Sequence, residues 1–472
     1  MASVGDFIKN PLRFRLELHA GIFKKETPVA DTIHPHTATP TRRKATVGCG
    51  LLIVMGLGLV ACDATHSTTP GTTGAAAGPF ASTPDPDPFY DTPAILPETP
   101  GTILKSRSIA YQPAGIPEPN PAWQLQYVTH DVEGRAIAAI TTVVKPLVPN
   151  LYGHPVVVSF QHAYDSLGTK CTPSHTVMGS NSNSTNMAET LEYLPGLQTL
   201  GWTMLIPDYE GPGNAFGAGA LSGHATLDAI RAALRFTPLA LPQDTPVALW
   251  GYSGGALATT WAAALQPEYA HELNLVGVAA GGIPVDMFHV MRDTEHSGDF
   301  SLQLSSLFGM ARAYPALLPA ELLTAQGRQA LSALKDGCVG ATTDGSAPPD
   351  GQLSDYVAAT DPYFTPGFQS EVPKLTLLQS ASSPSADIYL YHEIHDPLIP
   401  IDDVDKLAAR WCRAGTPLSY YRSNVATVAG MTPIGIHLAG AIAGTPAAYA
   451  YLVGRFSGLS APVTPPGTAR CN

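Results

Sequence analysis

The stretch Gly251-Tyr252-Ser253-Gly254-Gly255 could perform chemistry, because it places a serine between closely spaced glycines. It follows an apolar run that begins at Val247, and a segment of small residues from Ala256 to Leu265 comes after it. The pattern predicts a strand, a tight turn centred on Ser253 and a helix, which is the context of a nucleophilic serine. A strained turn of this kind requires glycine at 251 and 255. The alternative is a structural Gly-Ser turn in a chain that contains 44 glycines.

A serine hydroxyl becomes a good nucleophile only when a base takes its proton. His437 follows the predicted strand Leu418–Tyr421 and is the expected base, and Asp396 follows the predicted strand Ile388–Tyr391. Asp396 would hold the imidazole tautomer and stabilise the imidazolium. The order serine, acid, histidine is the order found in α/β hydrolases. Because the carboxyl ends of parallel strands form one crevice, we expect the three side chains to meet there.

Other residues could take these roles. His392 and His395 lie close to Asp396 in the sequence and are alternative histidines, with structural or pocket roles as the other possibility. Three further aspartates could replace Asp396 as the acid. They lie in or near a predicted helix start, where carboxylates are favourable against the helix dipole; they are Asp402, Asp403 and Asp405.

Apolar runs alternate with helical patterns through most of the chain, which predicts a mostly parallel sheet with helices on both faces. This is the α/β fold class, in its hydrolase form. The alternation stops at about 285–350, where amphipathic helical segments follow one another without a strand. We expect this segment to form a helical cap, although ordinary sheet-covering helices are the alternative. The last helix is expected to start at Thr445-Pro446, which would leave His437 in the preceding loop.

The first 62 residues have the pattern of a signal peptide. Three basic residues at 42–44 precede an apolar run, which ends in Leu59-Val60-Ala61-Cys62. This ending is similar to a bacterial lipobox and predicts lipidation of Cys62; the alternative is an ordinary signal peptide with a chance cysteine. Residues 63–100 are rich in Thr, Pro and Gly and predict a flexible tether. The catalytic domain would then span 101–472, exported to the cell envelope on a lipid anchor at the outer side of the membrane, or secreted.

Composition limits the partners and cofactors. The formal net charge of −12 argues against nucleic-acid binding, where a basic patch is expected. No cysteine pair has zinc-ligand spacing, so we expect no metal, and the serine chemistry needs no organic cofactor. Beyond Cys49 and Cys62, an even number of cysteines remains, which predicts two disulfides with three connectivities open. These cysteines are Cys171, Cys338, Cys412 and Cys471.

An oxyanion site needs two donors. The backbone N–H of Gly254, the residue after the predicted nucleophile, should be one of them. The other should come from the loop Gln161–Ser166, which lacks the His-Gly-Gly-Gly pattern of many esterases. Chemistry alone therefore leaves the second donor open.

Several motifs together resemble the secretory lipase family of the fungal lipase A type. The resemblance covers about 100 to 458 and implies an α/β hydrolase with a helical cap that acts on carboxylic esters and acylglycerols. Two features depart from the fungal pattern: no cysteine lies next to His437, and the front end is that of a bacterial lipoprotein. The motifs are Gly251–Gly255, Asp208-Tyr209-Glu210-Gly211-Pro212-Gly213, Leu227–Ala232, Tyr164-Asp165-Ser166 with Cys171 and Pro173-Ser174, and His437 followed by Gly444–Ala448 and Arg455-Phe456.

The resemblance also implies roles for particular residues. Asp165 would be the second oxyanion donor, through a protonated side chain whose pKa is raised by burial. A disulfide between Cys171 and Cys338 would cross the base of the cap, which leaves Cys412 to pair with Cys471.

The leading hypothesis is a serine ester hydrolase, a lipase or carboxylesterase, that works through an acyl-enzyme on Ser253. Its partners would be an ester or acylglycerol substrate and a lipid interface or membrane, reached through the lipid anchor. One alternative is an acyltransferase or amide-bond hydrolase, because the same three residues serve those reactions. Another is a cell-envelope lipoprotein that keeps the fold without catalysis.

Overall fold

The computed structural model describes residues 78–295, 299–339, 351–425, 431–459 and 461–471. All of them belong to one compact unit, Thr73–Asn472. The predicted signal peptide, Cys62 and the first part of the predicted tether lie outside the described residues and stay predictions.

Ten strands of the described residues form a single mixed sheet in the order β1-β2-β3-β5-β4-β6-β7-β8-β9-β10. Strands β4 to β9 run parallel to one another, whereas β1 to β3 at one edge and β10 at the other are antiparallel to their neighbours, which include β5 and β9. The strands are β1 Ile103–Ile109, β2 Ala122–His130, β3 Ala136–Val144, β4 Val157–Gln161, β5 Thr203–Pro207, β6 Val247–Tyr252, β7 Leu275–Gly281, β8 Ile388–Glu393, β9 Leu418–Ser423 and β10 Ala469–Cys471.

The central strands are buried on both faces, and their side chains alternate between two apolar cores. In β6, Val247 and Leu249 belong to one core, while Ala248 and Trp250 belong to the other. This alternation follows from the two-residue period of a strand. Because both faces must be covered, the parallel sheet requires helices on each side.

Ten α-helices of the described residues supply that cover and the cap. Helices α3 and α4 contribute to the first core, and the second contains side chains of α2 and α10. The helices are α1 Pro173–Thr176, α2 Ser184–Gln198, α3 Gly219–Arg235, α4 Gly254–Tyr269, α5 Met287–Asp293, α6 Phe300–Ala313, α7 Ala325–Leu334, α8 Pro366–Glu371, α9 Ile401–Arg413 and α10 Pro433–Phe456.

The cap is longer than the predicted segment of about 285–350. Between the end of β7 and the start of β8, the described residues contain α5 to α8 and short 3-10 turns, and no strand of the sheet. The described part beyond residue 350, which includes α8, therefore belongs to the same insertion. Its irregular turns have no apolar period, so the sequence pattern did not reveal them.

Residues 78–100 differ from the flexible tether that their composition predicts. Phe80 is buried, with its ring centroid 5.8 Å from that of Phe308 on α6. The Oγ1 of Thr83 donates a hydrogen bond of 2.9 Å to Asp336. Composition describes the average polarity of a segment, but one buried aromatic ring and a few side-chain hydrogen bonds are enough to hold this one on the domain.

The last helix also begins earlier than predicted. Helix α10 starts at Pro433, with Thr432 as its N-cap, so that His437 lies in its second turn and Pro446 lies inside it. The same Thr-Pro signal occurs twice, and the first copy starts the helix. A proline inside a helix removes one hydrogen bond. Packing offsets that loss, because α10, although long and apolar enough to cross a membrane, is half buried in the domain.

The four cysteines of the described residues form two disulfides, Cys171–Cys338 and Cys412–Cys471. The pairing implied by the resemblance is confirmed. The first disulfide joins the loop after β4 to the cap, and the second joins α9 to the edge strand β10.

Candidate active site

Strand β6 and helix α4 meet directly at Ser253, whose backbone is held at φ 54° and ψ −126°. An L-residue rarely adopts a positive φ, and the strain is about 1–3 kcal/mol. The Ser253 N–H donates to the carbonyl of Gly281 on β7 at 2.9 Å, which fixes the turn to the neighbouring strand. The predicted elbow is therefore formed, with the serine at its apex.

The glycines around Ser253 are required by close backbone contacts. A Cβ at Gly251 would overlap the carbonyl group of Gly255, and a Cβ at Gly255 would overlap the carbonyl oxygen of Gln161. Strand, turn and helix can approach this closely only without side chains at these two positions.

His437 and Asp396 form a buried pair. The His437 Nδ1 lies 2.6 Å from Asp396 Oδ2, and the backbone N–H groups of Leu398 and Ile399 donate to Asp396 Oδ1 at 3.0 and 3.1 Å. Burial alone would raise the pKa of Asp396, but the imidazole and these hydrogen bonds outweigh it and lower the pKa. The carboxylate is therefore ionised at neutral pH and accepts the Nδ1 proton. The opposite imidazole atom, Nε2, is buried and has no hydrogen-bond partner among the described residues.

The alternative residues have other partners. His392 Nε2 bonds to the carbonyl of Ile399 at 3.1 Å and lies 3.9 Å from Asp396 Oδ2. Asp403 contacts His289 and Lys406, and Asp405 contacts Arg422. Asp402 lies in the first turn of α9. The backbone N–H of His395 donates a hydrogen bond to the side chain of Glu393.

Asp165 lies across the turn from Ser253, in the loop after β4. Its carboxyl lies so close to Gly254 that a Cβ there would overlap its Oδ1. Asp165 is 8% exposed, and its Oδ1 has no hydrogen-bond partner in the part of the chain that the structure describes. Burial raises the pKa of Asp165 to about 7, although the His437 imidazole lowers it in part. A large share of this carboxyl is therefore protonated at neutral pH.

One cavity of about 430 Å³ brings these residues together, because Ser253, Gly254, Asp165 and His437 all line it. Its described lining has four carboxyl side chains and no lysine or arginine. Among the described residues, no cluster of three or more His, Cys, Asp or Glu side chains could hold a metal ion. The carboxyl groups are those of Asp165, Glu189, Glu192 and Asp299, and the apolar lining includes Phe216, Leu257, Met287, Val290, Met291, Leu302, Leu398, Ile434, Leu438 and Ile442.

Supporting residues of the site were not identified from sequence. The Tyr252 hydroxyl donates to the His437 carbonyl at 2.8 Å, so the elbow and α10 are directly joined. The Glu189 carboxylate accepts the N–H of Ala163 at 2.7 Å and so holds the loop that carries Asp165. Tyr252 is the variable residue of the Gly-x-Ser-x-Gly pattern, and Glu189 lies mid-helix, so neither has a local signal.

The strained serine, the buried histidine–aspartate pair and the parallel sheet define an α/β hydrolase of the serine type. A family model described as secretory lipase matches residues 178–463. The secreted triacylglycerol lipase LIP2 of Malassezia furfur is 33% identical over 380 residues, which cover 78% of this chain and 80% of the relative. The chain belongs to the secretory lipase family.

Two further comparisons refine this result. The crystal structure of Candida antarctica lipase A is similar with a TM-score of 0.72 and 26% identity, over 82% of this chain and 88% of that one. A relative named a probable inactive lipase from Mycobacterium tuberculosis is also 33% identical, over 72% of this chain and 77% of its own length.

We predict that Gly254→Ala will lower kcat by about 10²–10³-fold, the usual cost of losing one oxyanion donor. The new methyl group would displace the Asp165 carboxyl. Steady-state hydrolysis of a nitrophenyl ester measures the effect, and Gly213→Ala is the matched control because its Cβ would enter open space. Equal kcat values for the two variants would contradict the assigned contact.

Proposed function

We propose that the chain hydrolyses carboxylic esters of the acylglycerol type through an acyl-enzyme on Ser253. The observation that carries the proposal is the strained Ser253 in one cavity with the buried His437–Asp396 pair. In this proposal Gly254 and Asp165 are the oxyanion donors.

The reaction has two halves. In the first, His437 Nε2 takes the proton of Ser253 Oγ, which attacks the ester carbonyl carbon and forms a tetrahedral oxyanion. The carbon–oxygen bond to the alcohol then breaks, and the alcohol leaves with the proton from Nε2. In the second half, water attacks the acyl-enzyme with the same base, and the fatty acid is released. Asp396 stabilises the imidazolium in both halves.

Asp165 can donate a hydrogen bond to the oxyanion only while its carboxyl is protonated. Burial raises the pKa of Asp165 to about 7, so the carboxyl stays largely protonated below that pH. The donor is therefore present at lower pH and is lost as the pH rises through that value. The Gly254 N–H does not titrate in this range, so partial activity should remain above it.

The cavity supports an acyl substrate with a neutral alcohol group. Its cap side includes the side chains of Met287, Val290, Met291 and Leu302, which suit an alkyl chain. Because its described lining contains no lysine or arginine, no cation is present there to pair with an anionic headgroup. The relatives named triacylglycerol lipases agree with such a substrate.

We also propose that the protein acts at a lipid interface and is held there by a lipid on Cys62. Leu438 and Ile442, one and five residues after His437, are 42% and 47% exposed and line the cavity. Together with Ile434 they form a stripe at four-residue spacing along α10, which could lie against lipid while the cavity opens beside it.

Ser253→Ala should abolish both labelling by a fluorophosphonate probe and hydrolysis of a triacylglycerol emulsion, because no hydroxyl remains to attack. Ser370→Ala, at an exposed serine of α8, should keep both activities. The circular dichroism spectra of both variants should match that of the wild type. Labelling of a folded Ser253→Ala variant would refute the assignment of the nucleophile.

Asp165→Asn should remove the loss of kcat/KM that the wild type shows as the pH rises above about 7, because an amide donates at any pH. Asp165→Ala should be slow, by about 10²–10³-fold, at every pH below that value. Initial rates between pH 5 and 9 test both variants. If Asp165→Asn keeps the wild-type decline, Asp165 is not the titrating donor.

Cys62→Ser should move the full-length protein from the membrane fraction to the soluble fraction, because lipidation requires the thiol. Cys49→Ser, in the part of the signal region that would be removed, should leave the protein with the membranes. Mass spectrometry of the mature N-terminus identifies the lipid. A wild-type protein without a lipid on Cys62 would contradict the anchor.

A further inference from the structure

Asp165, like Ser253, has a backbone conformation that L-residues rarely adopt, with φ 40°. It is one of five such non-glycine residues in the described ranges. A conformation of this kind persists only where its surroundings enforce it. The conformation of Ser253 is enforced by the strand and the helix on either side of it, but Asp165 lies in a loop without regular structure. Other contacts must therefore hold the carboxyl beside Gly254.

The Ser166 hydroxyl makes such contacts on three sides. It donates to the carbonyl of Tyr164, which closes the backbone around Asp165. It also accepts the backbone N–H of Val339 at 3.0 Å and the Asn183 Nδ2 at 3.3 Å. One hydroxyl has one proton and two lone pairs, so its hydrogen-bonding capacity is fully used. Ser166 is 1% exposed, so water does not compete for these bonds.

Asn183 connects this hydroxyl to α2. It is the N-cap of the helix, and its side-chain oxygen accepts the N–H of Asn186 at 3.1 Å. Its Nδ2 lies 3.1 Å from the Tyr164 carbonyl and 3.3 Å from the Cys171 carbonyl. The Tyr164 carbonyl, directly before Asp165, is therefore held by two side chains.

Val339 connects the same hydroxyl to the base of the cap. It follows Cys338, which is bonded to Cys171. The N–H groups of Leu167 and Gly168 donate to the Gly337 carbonyl at 3.1 and 3.2 Å. The residues after Asp165 are therefore hydrogen-bonded to the cap. The Ser166 side chain, through its bond with Val339, links the backbone beside Asp165 to the same part of the cap.

The residues before Asp165 are held from other elements. Ala163 donates to Glu189 on α2, the Tyr209 hydroxyl donates to the His162 carbonyl at 2.5 Å, and the Glu210 N–H donates to the Tyr164 hydroxyl at 2.7 Å. Loss of the Ser166 hydroxyl would leave these contacts intact. The loop should therefore stay folded while the strained residue relaxes.

We propose that Ser166 is a positioning residue for ester hydrolysis, whose hydroxyl holds the Asp165 carboxyl at the oxyanion position by joining its loop to α2 and to the cap base. The inference rests on the proposed function of Asp165. Asn183, which bonds to the same hydroxyl and to the Tyr164 carbonyl, has the same positioning role. Neither side chain touches the substrate.

The test is a double-mutant cycle with Ser166→Ala, Asp165→Ala and the double variant, measured as kcat and KM on one nitrophenyl ester. Misplacing a catalytic group by about 1 Å can cost up to about 10²-fold, so Ser166→Ala should lower kcat by roughly tenfold or more with little change in KM. In the Asp165→Ala background the same change should cost less than about threefold, because the group that it positions is absent.

Two further variants keep the test decisive if Ser166→Ala is poorly folded. Asn183→Asp keeps the helix cap but loses the donor to Tyr164, and it should show the same dependence on Asp165. Ser222→Ala is the matched control, because the hydrogen bond of this buried hydroxyl to a described residue is a local one, to the carbonyl of Ala218 at the N-cap of α3. It should leave kcat unchanged.

Equal losses for Ser166→Ala with and without Asp165, or a lower melting temperature with unchanged kcat, would overturn the proposal and assign Ser166 a purely structural role. Asp165→Ala is measured alone in the same cycle. If that variant keeps the wild-type kcat, the oxyanion role of Asp165 fails first, and the positioning proposal falls with it.

Discussion

Ser253 is held at φ 54° because it is the single residue between β6 and α4. This junction is possible only without side chains at Gly251 and Gly255, where backbones touch, and at Gly254, where the Asp165 carboxyl is in contact. The rest of the site is arranged around it: the loop after β4 contacts two of these glycines, and Tyr252 bonds to the backbone of His437. The absence of side chains at these glycines therefore sets how closely the loop after β4 can approach the turn at Ser253.

Two aspartates of the site have opposite pKa shifts, and their surroundings explain the difference. Asp396 accepts hydrogen bonds from an imidazole and two backbone N–H groups, which lower its pKa despite burial. Asp165 is buried with an oxygen that accepts no hydrogen bond from any described residue, and burial raises its pKa to about 7. The same side chain can thus serve as an anion at one position and as a neutral donor at the other.

The cap is fastened to this site through its base. Arg312 on α6 donates to five backbone carbonyls, including those of Leu167 in the loop after β4, Phe80 in the N-terminal segment and Lys335 in the cap. Burial lowers its pKa to about 10, so it remains charged at neutral pH. Together with the Cys171–Cys338 disulfide, this cation links the cap, the segment 78–100 and the loop of Asp165.

The sequence by itself determined the elbow, the two partners Asp396 and His437, the alternating sheet and the presence of a cap, because strand period, turn chemistry and residue order are local properties. Only the tertiary structure decided the start of α10, where two Thr-Pro signals competed, and the docking of residues 78–100, which depends on a few long-range contacts. It also decided the state of Asp165. A raised pKa requires burial, and a strained φ requires enforcing neighbours such as Ser166 and Asn183, which come from separate parts of the chain.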